Sequence, residues 1–244
     1  MYNILKENFE KIYCINLDSR PDKWKLAQAE FEKYGIGDIV ERFPGTIGIK
    51  DGPSMHGCAS SHINILEQCK KEKIKNVLVL EDDIEFLSYS LDYKNKINKE
   101  IKSDPAEILS AGLSQLRPHK WDILYLGYNI KLKEFCYKEI LSDNLFKSTN
   151  QLTTHGIAYN ESVYDIIIKD LKRNITNETN YYRVTCAIDA YLAFYLSHKI
   201  NCINIFPMIA GQRENLYNDI GQKVRPQPWV RKNVLHNYME YKRK

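Results

Sequence analysis

The stretch Val77-Leu78-Val79-Leu80-Glu81-Asp82-Asp83 decides how this chain is read. Four aliphatic residues in succession look like a strand covered on both faces of a sheet, because neither side of it meets water. Three acids follow where such a strand leaves the sheet. In open α/β sheets, ligands bind beyond the carboxyl ends of the strands. Carboxylates crowded there repel one another unless a cation joins them, and a hard divalent ion carrying phosphate oxygens is the natural partner. Alternation along the strand end sends Glu81 and Asp83 to one side and Asp82 to the other. Asp83 is the expected direct metal ligand, with Glu81 or Asp82 touching ribose or metal-bound water, and Glu81 as the second candidate ligand. The competing reading is a solvated acidic turn.

Upstream, Lys11 to Leu17 reads as a first strand and Pro21 as the first residue of a helix to about Tyr34, stopped by Gly35. A short strand, Ile39 to Phe43, leads into an irregular Gly- and Pro-rich stretch. A helix from about Ser60 to Glu72 precedes the acidic strand. Strand and helix alternate, which is the pattern of a parallel sheet with covering helices. Downstream, 88–102 reads as a polar excursion. Asp104-Pro105-Ala106-Glu107 opens a helix to about Leu116, and Trp121 to Leu126 is another buried strand. Short antiparallel strands are expected over 134–159. Asn160 caps a helix to about Arg173, a helix spans Cys186 to His198, and Ile200 to Phe206 is a last strand. From Met208 onward mostly loop is expected.

The expectation is one α/β domain over 1–244, parallel in its N-terminal half and less regular in its C-terminal half. Its 244 residues are 43% hydrophobic and 27% charged, which is ordinary for a globular protein. No stretch approaches the roughly 18 apolar residues of a membrane span, and no leader is expected from the first ten residues. A cytoplasmic location is expected. The six cysteines include no C-x-x-C pair, which argues against a zinc ribbon or a thioredoxin-like motif and favours buried free thiols. The net charge of +4 is mild, and no nucleic-acid module is evident. Much of the positive excess lies in the tail, 223–244. That tail is either solvated or attracted to an anionic acceptor or membrane surface, with Trp229, Tyr238 and Tyr241 assisting.

Three ordered motifs carry a resemblance: Ile15-Asn16-Leu17-Asp18-Ser19-Arg20-Pro21-Asp22-Lys23, Gly57-Cys58-Ala59-Ser60-Ser61-His62, and Leu78-Val79-Leu80-Glu81-Asp82-Asp83. Weaker echoes follow at His155-Gly156, at Ile188-Asp189, and from Gln212 to Asn218-Asp219-Ile220. Over roughly residues 10 to 222 the chain resembles glycosyltransferase family 25, the lipooligosaccharide and collagen galactosyltransferase type. It departs from the family pattern at Lys23, where Arg is usual, and at Asn218, where Ser is usual. Lys keeps the charge but loses bidentate phosphate geometry. The resemblance implies a GT-A-type (Rossmann-like) mixed sheet with flanking helices. It also implies a nucleotide-sugar donor and a divalent metal, usually Mn²⁺, with Mg²⁺ the other oxygen-seeking choice. The donor-binding half would be about 10–127 and the acceptor-side half about 128–222.

Each candidate has a bland alternative. Asn16, Asp18 and Arg20 end the first strand, where a base and ribose would lie. Arg20 would pair with the diphosphate or else with Asp22. Ser61 and His62 would contact the donor near a helix N-terminus, or be a structural serine and histidine, Ser60 being the better cap. Asp189 is the candidate general base for an acceptor hydroxyl, or a helix N-terminal acid satisfied by backbone amides. Asp219 would bind donor or acceptor. His236 and His155 are weaker candidates, for the metal shell and the acceptor side.

The leading expectation is an inverting transferase of galactose or glucose from a UDP-sugar to a hydroxyl of a glycan or of a hydroxylysine-type protein acceptor. A sugar-1-phosphate nucleotidyltransferase is the alternative, weakened because 18–22 lacks the glycine-rich loop of that class. A non-catalytic sugar- or nucleotide-binding module is the third reading.

Overall fold

The computed structural model describes residues 1–47, 55–87, 89–91, 100–102, 104–130, 138–176 and 187–213. In chain order the elements are α1 (Tyr2–Asn8), β1 (Lys11–Asn16), α2 (Pro21–Lys33), β2 (Glu41–Pro44), α3 (Met55–Glu72), β3 (Asn76–Glu81) and β4 (Ile84–Phe86). There follow β5 (Tyr89–Leu91), β6 (Glu100–Lys102), α4 (Pro105–Leu116), β7 (Ile123–Tyr125), β8 (Asn129–Ile130), β9 (Lys138–Ser142) and β10 (Leu145–Ser148). The last are β11 (Gln151–Leu152), β12 (Gly156–Asn160), α5 (Tyr164–Thr176), α6 (Ile188–Tyr191), β13 (Cys202–Ile205) and β14 (Ala210–Gln212). A π-helical turn, Leu192–Leu196, continues α6.

Eight strands form one mixed sheet in the order β2-β1-β3-β12-β7-β13-β10-β9. β1 runs parallel to both β2 and β3, and β13 parallel to β7. β12 is antiparallel to β3 and β7, and β10 antiparallel to β13 and β9. The α/β expectation therefore holds, and strands from both halves of the chain share the sheet.

The sheet is covered on both faces, as the continuous aliphatic run of β3 requires. Val77 and Val79 join a core with Ile63 and Leu66 of α3 and Ile167 of α5. Leu78 and Leu80 join the opposite core with Leu5, Phe31 of α2 and Leu109 of α4. Alternation along one strand thus feeds two separate apolar layers.

Several local signals act as read. Pro21 opens α2. Gly35 (φ 64°) closes it, with the Ile36 amide bonded to the Phe31 carbonyl at 2.9 Å. Asp104 caps α4 by accepting from the Ala106 amide at 2.8 Å, and Asn160 accepts from the Ser162 amide at 3.2 Å ahead of α5.

One expectation is corrected, and two segments with no assigned element take structure. The first residues form the helix α1, held by burial of Leu5. α3 starts at Met55, so Gly57 to His62 lies inside the helix and Ser60 caps nothing. Past Met208 the chain is not all loop: β14 pairs with β4, Ala210 opposite Phe86 and Gln212 opposite Ile84. An Ala-Gly-Gln strand has little propensity of its own, and its long-range ladder makes it. Cys14, Cys69 and Cys202 are buried free thiols, as expected, while Cys136 and Cys186 lie outside the described residues. Among the described residues no helix is long and apolar enough to cross a membrane.

Behind β7, Gly127 makes the close approach that seats β14. The Ile209 and Ala210 amides both bond to the Leu126 carbonyl, at 3.0 and 3.1 Å. A Cβ on Gly127 would lie 2.2 Å from His155 Nε2 and 2.3 Å from the Ala210 carbonyl oxygen. One of these is backbone and cannot rotate away. Gly127→Ala is expected to destabilise the protein by about 1–3 kcal/mol, read as a lowered urea midpoint; an unchanged midpoint would refute this packing.

Candidate active site at the strand ends

Parallel pairing brings the carboxyl ends of β1 and β3 to one edge of the sheet. Antiparallel β12 brings its amino end there as well. Ile15 stands opposite Glu81, and the Glu81 amide bonds to the His155 carbonyl at 3.2 Å. The acidic triplet, Thr154, His155 and the first-strand motif therefore meet.

The triplet splits. Asp82 turns to the α2 side of the sheet and is 8% exposed. Its Oδ2 accepts from Asn16 Nδ2 at 2.7 Å, and its Oδ1 lies 3.6 Å from Lys23 Nζ. Lys23 is itself 3% exposed, so its ammonium serves a buried ion pair rather than a surface phosphate contact. Glu81 turns to the α3 side. Its Oε1 accepts from Thr154 Oγ1 at 2.6 Å and lies 3.9 Å from His62 Nε2 and 4.0 Å from Cys58 Sγ. Burial alone would raise the Glu81 pKa, but the His62 imidazole, Thr154 and His155 outweigh it and the net shift is downward. Asp83, also buried, leads to β14: Gln212 Nε2 donates to its Oδ2 at 3.3 Å, and the Arg213 amide to its carbonyl at 2.7 Å.

Electrostatics tie these groups together. Burial pushes the Cys14 thiol well up, and Asp82, Asp83 and Glu81 push it further. Burial does the same to Cys58, with Glu81, Asp189 and Asp83 adding to it. Asp189, from the C-terminal half, reaches the same edge through Thr153, whose neighbour Thr154 donates to Glu81. The Asp189 carboxylate accepts from the Ala190 amide at 2.7 Å and the Thr153 amide at 3.4 Å. These contacts fit a helix N-terminal acid, yet the residue stays only half-buried.

The first-strand motif is mixed. Asn16 Oδ1 accepts from Arg42 Nε at 2.9 Å, and Arg42 also pairs with the exposed Asp18 at 2.6 Å. Arg42, an exposed cation beside the motif, was missed: a lone Arg on a short strand gives no sequence signal. Arg20 is paired with Asp22 at 2.8 and 2.9 Å and holds that carboxyl down at about 2. The salt-bridge alternative is the one seen. Ser61 is buried, donating to the Gly57 carbonyl and accepting from the Thr46 amide, both at 2.8 Å. Its hydroxyl is spent on α3 and the neighbouring loop, because the helix begins before it rather than at it. His62 is fully buried, with Nδ1 3.0 Å from Tyr159 Oη. His155 is buried too; burial lowers its pKa, and its Nε2 faces the Ala210 carbonyl at 3.2 Å, so it does not line an open acceptor surface. Asp219, His236 and the basic tail lie outside the described residues.

A divalent cation of the kind the sequence calls for needs one or two carboxylates and fills its remaining positions with phosphate and water oxygens. Asp83 and Glu81 are the two carboxylates the sequence offers for it; Asp82 has its oxygens engaged by Asn16 and Lys23. Of groups of three or more metal-ligating side chains among the described residues, one converges: Cys58, His62 and Glu81.

A mixed sheet with carboxylates beyond the ends of its parallel strands is the arrangement in which open α/β sheets bind ligands. The family model described as "Glycosyltransferase family 25 (LPS biosynthesis protein)" matches residues 53–178, just over half of the chain. The chain belongs to glycosyltransferase family 25. It is 29% identical over 109 residues to a glycosyltransferase 25 family member of Drosophila melanogaster, covering 34% of this chain and 18% of that protein. It is 27% identical over 154 residues to one of Drosophila pseudoobscura pseudoobscura, covering 53% and 22%. The matches thus span about a fifth of those relatives' length. Among solved structures, it is similar at TM-score 0.38 and 11% identity to a glycosyltransferase involved in glycosylation of the major capsid of PBCV-1, covering 69% of this chain and 67% of that one. UDP-glucose pyrophosphorylase complexed with UDP-glucose aligns at TM-score 0.39 and 11% identity, covering 96% and 82%.

Removing the Lys23 ammonium leaves a buried carboxylate short of positive charge. Lys23→Met is expected to cost about 3 kcal/mol, the low end for a broken buried pair because Asn16 still donates to Asp82. Chemical denaturation of Lys23→Met, Asp82→Asn and the double variant checks this. The double variant should recover most of the loss, and strictly additive costs would show that the two groups are not coupled.

Proposed function

We propose that this protein transfers a hexose, galactose or glucose, from a UDP-sugar to a hydroxyl of a glycan or of a hydroxylysine-type protein acceptor, with inversion at the anomeric carbon. Family membership supports the reaction class. The observation that supports the site assignment is the Thr153-Thr154 link, Thr154 donating to Glu81 at the acidic strand end and the Thr153 amide to Asp189 of the C-terminal half.

In this reading one domain does both jobs, donor binding over about 10–127 and acceptor binding over about 128–222. Asp83, with Glu81 as second candidate, would hold Mn²⁺ or Mg²⁺. When bound, such an ion stabilises the charge that builds on the leaving group. Asp82 keeps the turn in place through Asn16 and Lys23. Arg42, Asn16 and Asp18 form the polar shelf for the nucleoside, and Arg20 reaches the diphosphate by exchanging its Asp22 partner. Asp189 takes the acceptor's proton as the sugar bond breaks, its two backbone amide contacts orienting it. Asp219 is assigned to the donor or acceptor side from sequence alone. A single displacement with one base inverts the anomeric centre.

A screen of nucleotide sugars with Mn²⁺, reading released nucleotide, tests this. UDP-galactose or UDP-glucose should turn over, slowly to water and faster with acceptor. Asp83→Ala should abolish turnover, and Asp189→Asn should lower kcat by about 10²–10⁴-fold while UDP still binds. Full activity of Asp83→Ala in chelator would sink the assignment. Pyrophosphate release from a nucleoside triphosphate would point instead to a nucleotidyltransferase.

A further inference from the structure

We propose that Cys58, His62 and Glu81 form a binding site for a borderline transition-metal ion, zinc above all, on the α3 side of the β3 end. Cys58 Sγ, His62 Nε2 and Glu81 Oε1 all lie within 4.8 Å of one another. His62 Nε2 stands 3.9 Å from Glu81 Oε1, and Cys58 Sγ 4.0 Å from the same oxygen. A tetrahedral zinc site with bonds of about 2.0–2.3 Å has ligand-to-ligand edges of about 3.4–3.7 Å. Small side-chain rotations close that difference. Cys58 and His62 are four residues apart on α3, so they present one face of the helix to Glu81.

A second observation points to a ligand. His62 is fully buried, and its Nε2 makes no hydrogen bond while lying toward Glu81. A buried ring nitrogen left that way is costly unless something else takes its lone pair. The other ring nitrogen, Nδ1, is 3.0 Å from Tyr159 Oη. With a proton on Nδ1 donated to Tyr159, the ring can give Nε2 to a metal, which would take the place of the proton that otherwise faces Glu81, the arrangement in which metal-bound imidazoles are held. Thr154 Oγ1 donates to Glu81 Oε1 at 2.6 Å and fixes that carboxylate in the same way.

The donor set decides the ion. One thiolate, one imidazole and one carboxylate suit Zn²⁺ or Co²⁺, not Mg²⁺ or Mn²⁺, which prefer oxygen. Three protein ligands leave a fourth position, and the Glu81 side chain, 22% exposed, keeps the site in touch with solvent. Glu81 is the one residue shared with the proposed donor cation, and zinc here leaves Asp83 to hold that ion. The proposal does not depend on the transfer reaction.

Titrating the metal-free chain with Co²⁺ tests it. One equivalent should bind with a thiolate-to-cobalt charge-transfer band in the near ultraviolet, and Zn²⁺ should displace it. Cys58→Ser should remove the band, His62→Gln and Tyr159→Phe should weaken binding about tenfold or more, and Asp83→Ala should keep it. A wild-type protein without the band, or a band that survives Cys58→Ser, overturns the site. If Cys58→Ser fails to fold by circular dichroism, the wild-type titration and His62→Gln decide between the outcomes. Because no turnover is read, a cobalt band in a chain without transferase activity upholds this site while refuting the proposed reaction.

Discussion

The burial of Asp82 is the constraint on which the strand-end architecture depends. Taking a carboxylate almost out of water is costly unless a cation and good hydrogen-bond donors accompany it. Lys23 supplies the charge from α2, and Asn16 supplies the donor from the end of β1. The turn after β3 is thereby held to two elements distant in sequence. Once Asp82 is committed to that face, Glu81 projects to the other and Asp83 leads toward β14. Three adjacent acids that would repel one another on a solvated turn are given three separate surroundings.

The surroundings of Glu81 come from α3 and from the approach to β12. An antiparallel strand presents its amino end where its parallel neighbours present their carboxyl ends. For that reason Thr154 and His155, which precede β12, reach the same edge as the residues that end β1 and β3. Tyr159 lies further along the same strand, on the face packed against α3, where it meets His62. The sites on the two sides of β3 are therefore unlike: a buried ion pair steadies one, and a group of nitrogen, sulfur and oxygen donors occupies the other.

Arg213 closes the arrangement from the C-terminal side. Its amide bonds to the Asp83 carbonyl, and its guanidinium lies 3.6 Å from Glu30 Oε2 and 3.3 Å from the Leu26 carbonyl. Glu30 in turn accepts from the Phe86 amide at 2.9 Å. This couples α2, β4 and β14 through one buried acid and one cation, and it seats Asp83 between two strands that contribute little stability of their own.

What could be read from residues alone was local. The aliphatic run of β3 announced a doubly covered strand, and its alternation placed Glu81 and Asp82 on opposite sides. The alternation failed for Asp83, which the turn carries to Gln212 rather than to the surroundings of Glu81. Pro21, Gly35, Asp104 and Asn160 marked helix ends through backbone chemistry confined to a few neighbours. The ordered motifs pointed to the family for the same reason, being short and contiguous. The start of α3, the β4–β14 ladder, the pairing of Arg20 with Asp22, the place of Arg42 and the burial of Lys23 were decided in three dimensions. Each depends on which residues the sheet order brings together across tens of positions, and a periodicity of two or 3.6 residues carries no record of that order.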